Sequence, residues 1–127
     1  MSSLTLTIPA IAPSANSFYS GMHPMARKRL ADWWHQLVLH VVKLQEISPY
    51  AGTYPVDVEC RCFFGKGERL TDADNCSPTA KLVIDGLVRA GILENDSHRF
   101  VRSVRLIPER SENGSSYTVI TISREEE

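Results

Sequence analysis

The sequence lacks several features that would set it apart from ordinary globular proteins. Its longest apolar stretch within a predicted helix covers positions 37–42, far shorter than the roughly 20 residues that cross a membrane. Its net charge is only -1, from 14 Lys and Arg against 15 Asp and Glu, which excludes a general polycationic coat for nucleic acids. It has three cysteines, and positions 1–7 alternate polar and apolar residues instead of forming a secretory signal. We therefore expect a cytoplasmic protein with no membrane partner and no structural disulfides.

The length of 127 residues predicts a single domain spanning 1–127. Apolar residues alternate in four segments and recur at three- and four-residue steps in two others, which predicts strands and amphipathic helices respectively. The predicted strands cover 4–8, 54–64, 101–107 and 117–122, and the predicted helices cover 25–47 and 78–90. Positions 9–24 contain Pro, Ser, Asn and Gly and are predicted to form a long loop. The order β-α-β-α-β-β predicts an α+β fold, in which a mixed sheet of about four strands packs with two main helices.

Acidic and amide residues precede the second predicted helix at Asp72, Asp74 and Asn75. Two aspartates two positions apart on an extended segment point to the same side, and carboxylate oxygens are the ligands that Mg²⁺ prefers. Asp96 follows this helix and supplies a third carboxylate if the chain folds back. An ordinary alternative is that these side chains cap backbone N–H groups before the helix. An EF-hand loop is excluded because Ser77 stands where such a loop needs Gly.

The wider spacing of these residues is informative. It comprises D-x-D-N at 72–75, Lys81, Asp85 four residues later, Gly91 after the helix, and the pair Asn95-Asp96. This pattern resembles the core motif of the RusA family of Holliday-junction resolvases. The predicted first strand, the residues Pro13-Ser14-Ala15-Asn16 and the pair Phe18-Tyr19 are similar to the opening strand and loop of that family. The resemblance covers nearly the whole chain, although only the central motif is specific.

Three features depart from the family pattern. The segment between Asn75 and Lys81 is about three residues longer than in the best-known form of the family. Asn95 stands where the first acid of the final pair is usual, which removes one auxiliary carboxylate. The basic run that often precedes D-x-D-N is reduced here to Lys66 and Arg69, which predicts weaker DNA affinity or DNA contacts from other segments.

The resemblance implies a homodimer that binds four-way DNA junctions and cuts two opposing strands with Mg²⁺, or Mn²⁺ as a substitute, and without an organic cofactor. It implies catalytic and metal-binding roles for Asp72, Asp74 and Asp96, and a catalytic role for Lys81 in stabilising charge on the phosphate. A two-fold symmetric junction needs two equivalent sites, which a homodimer supplies. Two alternatives are a junction-binding protein with a weakened active site, which Asn95 favours, and a metal-dependent nucleotide phosphohydrolase.

Lys81, Asp85 and Arg89 also share one stripe of the predicted helix, because they are spaced four residues apart. The ordinary interpretation of such a stripe is a row of solvated ion pairs, each contributing about 0.3–0.5 kcal/mol. The family resemblance favours a catalytic role over this interpretation for Lys81.

Basic residues suggest where DNA binds. Several arginines lie within twelve residues close to Asp96, which predicts a phosphate-contacting patch beside the metal site, the alternative being an exposed strand face. Strict alternation along the third strand places Arg102 and Arg105 on opposite faces of the sheet. The predicted DNA contacts are Arg99, Arg102, Arg105, Lys66, Arg69 and Asn16.

Overall fold

A computed structural model describes residues 3–124 and confirms the predicted α+β class and element order. Three helices and four strands follow one another along the chain. They are β1 (Ser3–Ile8), α1 (Ala15–Tyr19), α2 (Pro24–Leu44), β2 (Val56–Phe64), α3 (Ser77–Arg89), β3 (Val101–Arg110) and β4 (Tyr117–Ser123). A short 3₁₀ turn, Ala73–Cys76, leads directly into α3. Within the described residues, no helix is both long and apolar enough to span a membrane.

The predicted loop at 9–24 contains one short helix that periodicity did not indicate. Helix α1 has five residues, and the Ser14 hydroxyl caps it by accepting a hydrogen bond from the backbone N–H of Ser17 at 3.3 Å. Its buried residue is Phe18, which packs into the hydrophobic core. A helix of this length shows too little periodicity to be predicted from apolar spacing.

The four strands form one mixed sheet in the order β1-β4-β2-β3. Strands β1 and β4 are antiparallel, as are β4 and β2, whereas β2 and β3 are parallel. A parallel pair needs a long crossover connection, and here α3 lies in the segment that joins β2 to β3. This connection brings α3 and the turn before it close to β3, one of the two edge strands of the sheet.

The hydrophobic core lies on one face of the sheet. Along β2, buried and half-buried residues alternate strictly, so that Val56 and Val58 face the helices while Asp57 and Glu59 point away. The helices α2 and α3 pack against each other as well as against this face, and Trp34 of α2 is fully buried in the core. We call the opposite side the open face. It is formed by the odd-numbered residues of β1, β2 and β4 and by residues 102, 103, 105, 107 and 109 of β3, and no helix of the described chain packs on it.

The prediction that Arg102 and Arg105 lie on opposite faces of the sheet is wrong. The register between β2 and β3 shifts by one residue after the pair Val56 and Val101, because β3 bulges there. The bulge turns Arg102 toward the open face, where its guanidinium donates to both carboxylate oxygens of Asp57, at 3.1 and 2.7 Å. Arg105 also lies on the open face, 3.9 Å from a carboxylate oxygen of Glu59.

The three cysteines are free and fully buried in the core. The sulfurs of Cys60 and Cys62 lie 3.8 Å apart on the helix-facing side of β2. The hydrogen bond with Cys60 is the main cause that raises the pKa of the Cys62 thiol to about 12, and burial adds to it. A hydrogen bond with Cys62, followed by burial, raises the pKa of Cys76. The cysteines therefore act as small neutral core residues, in agreement with the prediction of no structural disulfides.

Candidate functional site

The D-x-D-N segment forms the 3₁₀ turn immediately before α3. Asp72 is the residue that precedes this turn, and its side chain makes no capping hydrogen bond. The turn is closed instead by main-chain atoms, with the N–H of Asn75 donating to the carbonyl of Asp72 at 3.0 Å. Asp72 and Asp74 are both exposed. Helix capping, the ordinary explanation for such residues, therefore does not account for Asp72.

Helix α3 places Lys81 and Asp85 one turn apart on the same side. The Lys81 Nζ lies 3.9 Å from the Asp85 Oδ2, which is a loose ion pair. Lys81 has 57% of its side chain exposed, whereas Asp85 retains only 29%. The lysine is thus able to move toward a bound anion, and the aspartate is held against the body of the protein.

These two side chains line a cavity of about 350 Å³ between α3, β3 and α1, which we call the site cavity. Asp96 lines the same cavity, so the loop after α3 brings this carboxylate back to the side of the helix. Tyr19 of α1 contributes an aromatic wall, and the remaining walls are mostly apolar. These walls include Ala80, Ile84, Val101, Val104 and Leu106. The site cavity therefore combines two carboxylates and one ammonium group with an apolar lining, which is typical of a binding site.

The two carboxylates of the site cavity interact directly. Burial is the main cause that raises the pKa of Asp85, and a hydrogen bond with Asp96 together with the charge of Asp96 raises it further. The nearby Lys81 ammonium opposes this shift. A cation bound between the two carboxylates would relieve this repulsion.

A side-chain turn at Asn95 fixes the position of Asp96. The Asn95 Oδ1 accepts hydrogen bonds from the N–H groups of Asp96 at 2.7 Å and of Ser97 at 3.1 Å. An amide at this position organises the loop as an aspartate would, but without adding a negative charge next to Asp96. Asn95 therefore has a structural role here, which weakens the argument that it marks a decayed active site.

The predicted set Asp72, Asp74 and Asp96 does not form one metal-binding cluster in this chain. Among residues 3–124, no three His, Cys, Asp or Glu side chains come together in a way that could hold a metal ion. The carboxylate that joins Asp96 is Asp85, and one or two carboxylates, with water and substrate phosphate, are the usual ligands of Mg²⁺. Asp85 and Asp96 are therefore the two carboxylates that the site cavity offers to a cation, and the roles of Asp72 and Asp74 stay predictions.

Helix α2 contributes a histidine that sequence spacing did not identify. Both ring nitrogens of His35 are buried without a hydrogen-bond partner. Burial, followed by the charge of Arg89, lowers the pKa of His35, while Asp85 and Asp32 oppose this shift. The ring is therefore neutral at neutral pH and lies near Asp85. No pattern in the sequence could indicate this proximity, because it joins two helices.

None of the residues predicted to contact DNA lines the site cavity. Lys66 and Arg69 are exposed in the segment after β2, and Arg99 is exposed in the turn before β3. Asn16 is an exposed residue of α1, the helix that also supplies Tyr19. Arg102 and Arg105 lie on the open face, whereas the site cavity includes Val104 and Leu106 from the opposite side of β3. These two arginines therefore lie on the side of β3 that faces away from the site cavity.

Comparison with known proteins adds no assignment to this geometry. No protein-family model matches the sequence, and no curated protein matches it.

Proposed function

We propose that this protein is a Mg²⁺-dependent, structure-selective DNA endonuclease that resolves four-way junctions by paired incision. The observation that carries the proposal is the convergence of Lys81, Asp85 and Asp96 on one cavity beside the D-x-D-N turn. These residues come from separate parts of the motif that resembles the RusA family. The same three groups have the chemistry that phosphodiester hydrolysis requires, namely carboxylates for a cation and an ammonium group for the phosphate.

Each group has a defined task in this proposal. Asp85 and Asp96 would hold the Mg²⁺ ion, whose chemistry is to polarise the scissile phosphate and to lower the pKa of an attacking water. Lys81 binds a phosphoryl oxygen and stabilises the charge that develops on it. Asp72 and Asp74, exposed at the start of α3, remain proposed participants in metal binding.

The substrate and the assembly belong to the same proposal. A four-way junction has two-fold symmetry, and a homodimer presents two equivalent sites to it. Asn16, Lys66, Arg69 and Arg99 are the proposed phosphate contacts around the cut strand. No organic cofactor is needed for hydrolysis of this kind.

The decisive experiment is a cleavage assay with labelled four-way junction, matched duplex and free nucleotide, each with Mg²⁺, Mn²⁺ or EDTA. We expect cleavage of the junction only, and only with a divalent cation. Release of phosphate from nucleotide would favour a phosphohydrolase instead. Junction binding without any cleavage would favour a protein with a weakened active site.

Point variants then test the assigned residues. We expect Asp85→Asn and Asp96→Asn to abolish cleavage while junction binding persists, because the variants keep side-chain volume and remove a ligand charge. Lys81→Ala should lower the rate by roughly 10²-fold or more, the scale for loss of one charge-stabilising donor. Glu94→Gln is the matched control, since Glu94 is an exposed acid two residues from Asp96 that does not line the site cavity. Wild-type cleavage by Asp96→Asn or Asp85→Asn would remove that residue from the proposed site.

A further inference from the structure

Helix α3 lines the site cavity with two neighbouring rows of side chains, one polar and one apolar. The polar row is Ser77, Lys81 and Asp85, and the apolar row is Ala80 and Ile84. Residues four positions apart follow one another along a helix, so each row runs along α3 and the two rows lie side by side. The groups assigned to the phosphate and the cation therefore occupy only one side of the site cavity.

The site cavity is larger than a cation site requires. Mg²⁺ takes an octahedral set of six ligands, of which Asp85 and Asp96 would supply two. Four remaining ligands of the size of a water molecule, at about 30 Å³ each, fill about 120 Å³. Subtracting this volume from the 350 Å³ of the cavity leaves about 230 Å³ for another group.

Two large apolar side chains of the cavity lining stay in contact with water. Tyr19 is 47% exposed and Val104 is 44% exposed, although both line the site cavity. The buried Phe18 contacts the Tyr19 ring edge to face, with ring centroids 5.0 Å apart and an interplanar angle of 83°. An anchored aromatic ring that remains exposed beside a cavity is available to stack on a flat ligand.

Helix α1 presents a polar group on the same side as this ring. Asn16 and Tyr19 are three residues apart and both exposed, so they lie together on one side of α1. The helix packs against α3 and against the D-x-D-N turn. A strand whose phosphate contacts Asn16 therefore passes close to the Tyr19 ring and to the apolar side of the site cavity.

We propose that the apolar side of the site cavity binds one nucleobase, which leaves its stack next to the scissile phosphate and stacks on Tyr19. A nucleotide carries its base and its phosphate on the same sugar. A phosphate bound by Lys81 consequently brings the attached base to the neighbouring row formed by Ala80 and Ile84. Every nucleobase has a flat aromatic face, so stacking on Tyr19 does not depend on the sequence.

This base-binding subsite supplies a physical reason for selectivity toward branched DNA. A base leaves the stack most easily where its pairing or stacking is already interrupted, as it is at a branch point, and least easily within a continuous duplex. Tyr19 is therefore the residue that separates junction from duplex binding. The inference rests on the proposed function and names the group that makes the same site selective.

Photocrosslinking tests the contact on the wild-type chain. 5-Iodouracil replaces the thymines beside the branch point, one position at a time, and the complexes are irradiated in EDTA so that no strand is cut. We expect at least one junction position to crosslink to Tyr19, as located by mass spectrometry, and no position of the matched duplex to do so. A junction that is bound but crosslinks to Tyr19 from none of these positions would overturn the inference.

Junction and duplex affinities of three variants measure the contribution of the ring. Tyr19→Ala should weaken junction binding by about 5- to 140-fold, which is the loss of one stacked base, about 1–3 kcal/mol, at 1.4 kcal/mol per tenfold. Its duplex affinity should not change. Tyr19→Phe keeps the ring and should retain junction affinity. Trp33→Ala is the matched control and should change neither affinity, because Trp33 is a 54% exposed aromatic residue of α2 that does not line the site cavity.

The outcomes separate this inference from the proposed function. Urea unfolding establishes that each variant is folded, and the crosslink needs no variant. Unchanged junction affinity in folded Tyr19→Ala, or an equal loss of junction and duplex affinity, would overturn the base-binding subsite. A wild-type chain that binds the junction no more tightly than the duplex would refute the proposed function itself, and the inference with it.

Discussion

The close approach of α2 and α3 at Gly86 gives the sharpest test of the fold around the site. A Cβ atom built on Gly86 would lie 2.9 Å from both the Cβ and the Cγ2 of Val38, and 3.1 Å from its Cγ1. Valine in a helix has one strongly preferred rotamer, so Val38 cannot turn away. Gly86→Ala must therefore push the two helices apart, although alanine also favours the helical backbone.

The two effects of Gly86→Ala have opposite signs and different sizes. Overpacking a well-packed core costs about 1–3 kcal/mol, and three simultaneous close contacts place this site near the upper end. Replacing glycine by alanine inside a helix stabilises the helix by about 1 kcal/mol. We expect a net loss of about 2 kcal/mol in the free energy of unfolding, which lowers Tm by about 6–8 °C for a domain of this size.

A double-mutant cycle measured by urea unfolding isolates the contact. Val38→Ala alone removes two buried methyl groups and should cost about 2 kcal/mol. In the Val38→Ala variant, the methyl group introduced at position 86 enters the vacated space, so Gly86→Ala should become neutral or stabilising. The coupling free energy between the two substitutions should therefore be about 2 kcal/mol. Val41→Ala, one turn along α2, is the control and should combine additively with Gly86→Ala. Additivity within about 0.5 kcal/mol for the Val38 pair would refute the contact.

Two further results are expected from the site and from the basic residues. Because the folded state raises the pKa of Asp85, its ionisation destabilises the fold as pH rises above the unfolded value of about 3.9. Asp85→Asn should therefore gain stability relative to wild type as the pH rises above about 4 in metal-free buffer, as measured by urea unfolding; a difference that does not change with pH would contradict the raised pKa of Asp85. In a salt series of DNA affinity, Lys66→Ala and Arg69→Ala should each flatten the slope of log affinity against log salt by about 0.9. Arg102→Ala and Arg105→Ala should leave this slope unchanged. A flatter slope for either variant would indicate that the open face contacts DNA phosphates.

The fold class followed from local patterns, since the period of apolar residues and the turn residues specify helices and strands directly. Alternating apolar and polar residues over 56–64 predicted β2. Apolar residues recurring at three- and four-residue steps predicted α2 and α3, whose observed bounds are close to the predicted ones. The resemblance to the family motif also implied that Lys81 and Asp96 belong to one site, and both residues line the site cavity. The pairing of Lys81 with Asp85 followed from helical periodicity alone.

The groups that share the site cavity, and the face that each residue of β3 occupies, depend on tertiary packing. One bulge after Val56 and Val101 reversed the face of Arg102, because strand alternation has a period of two and one extra residue inverts it. The contact of Asp85 with Asp96, and the position of His35 near Asp85, depend on how α2, α3 and the loop at Asn95 pack. Such contacts join residues distant in sequence, and their distances are set by core packing that no local pattern records.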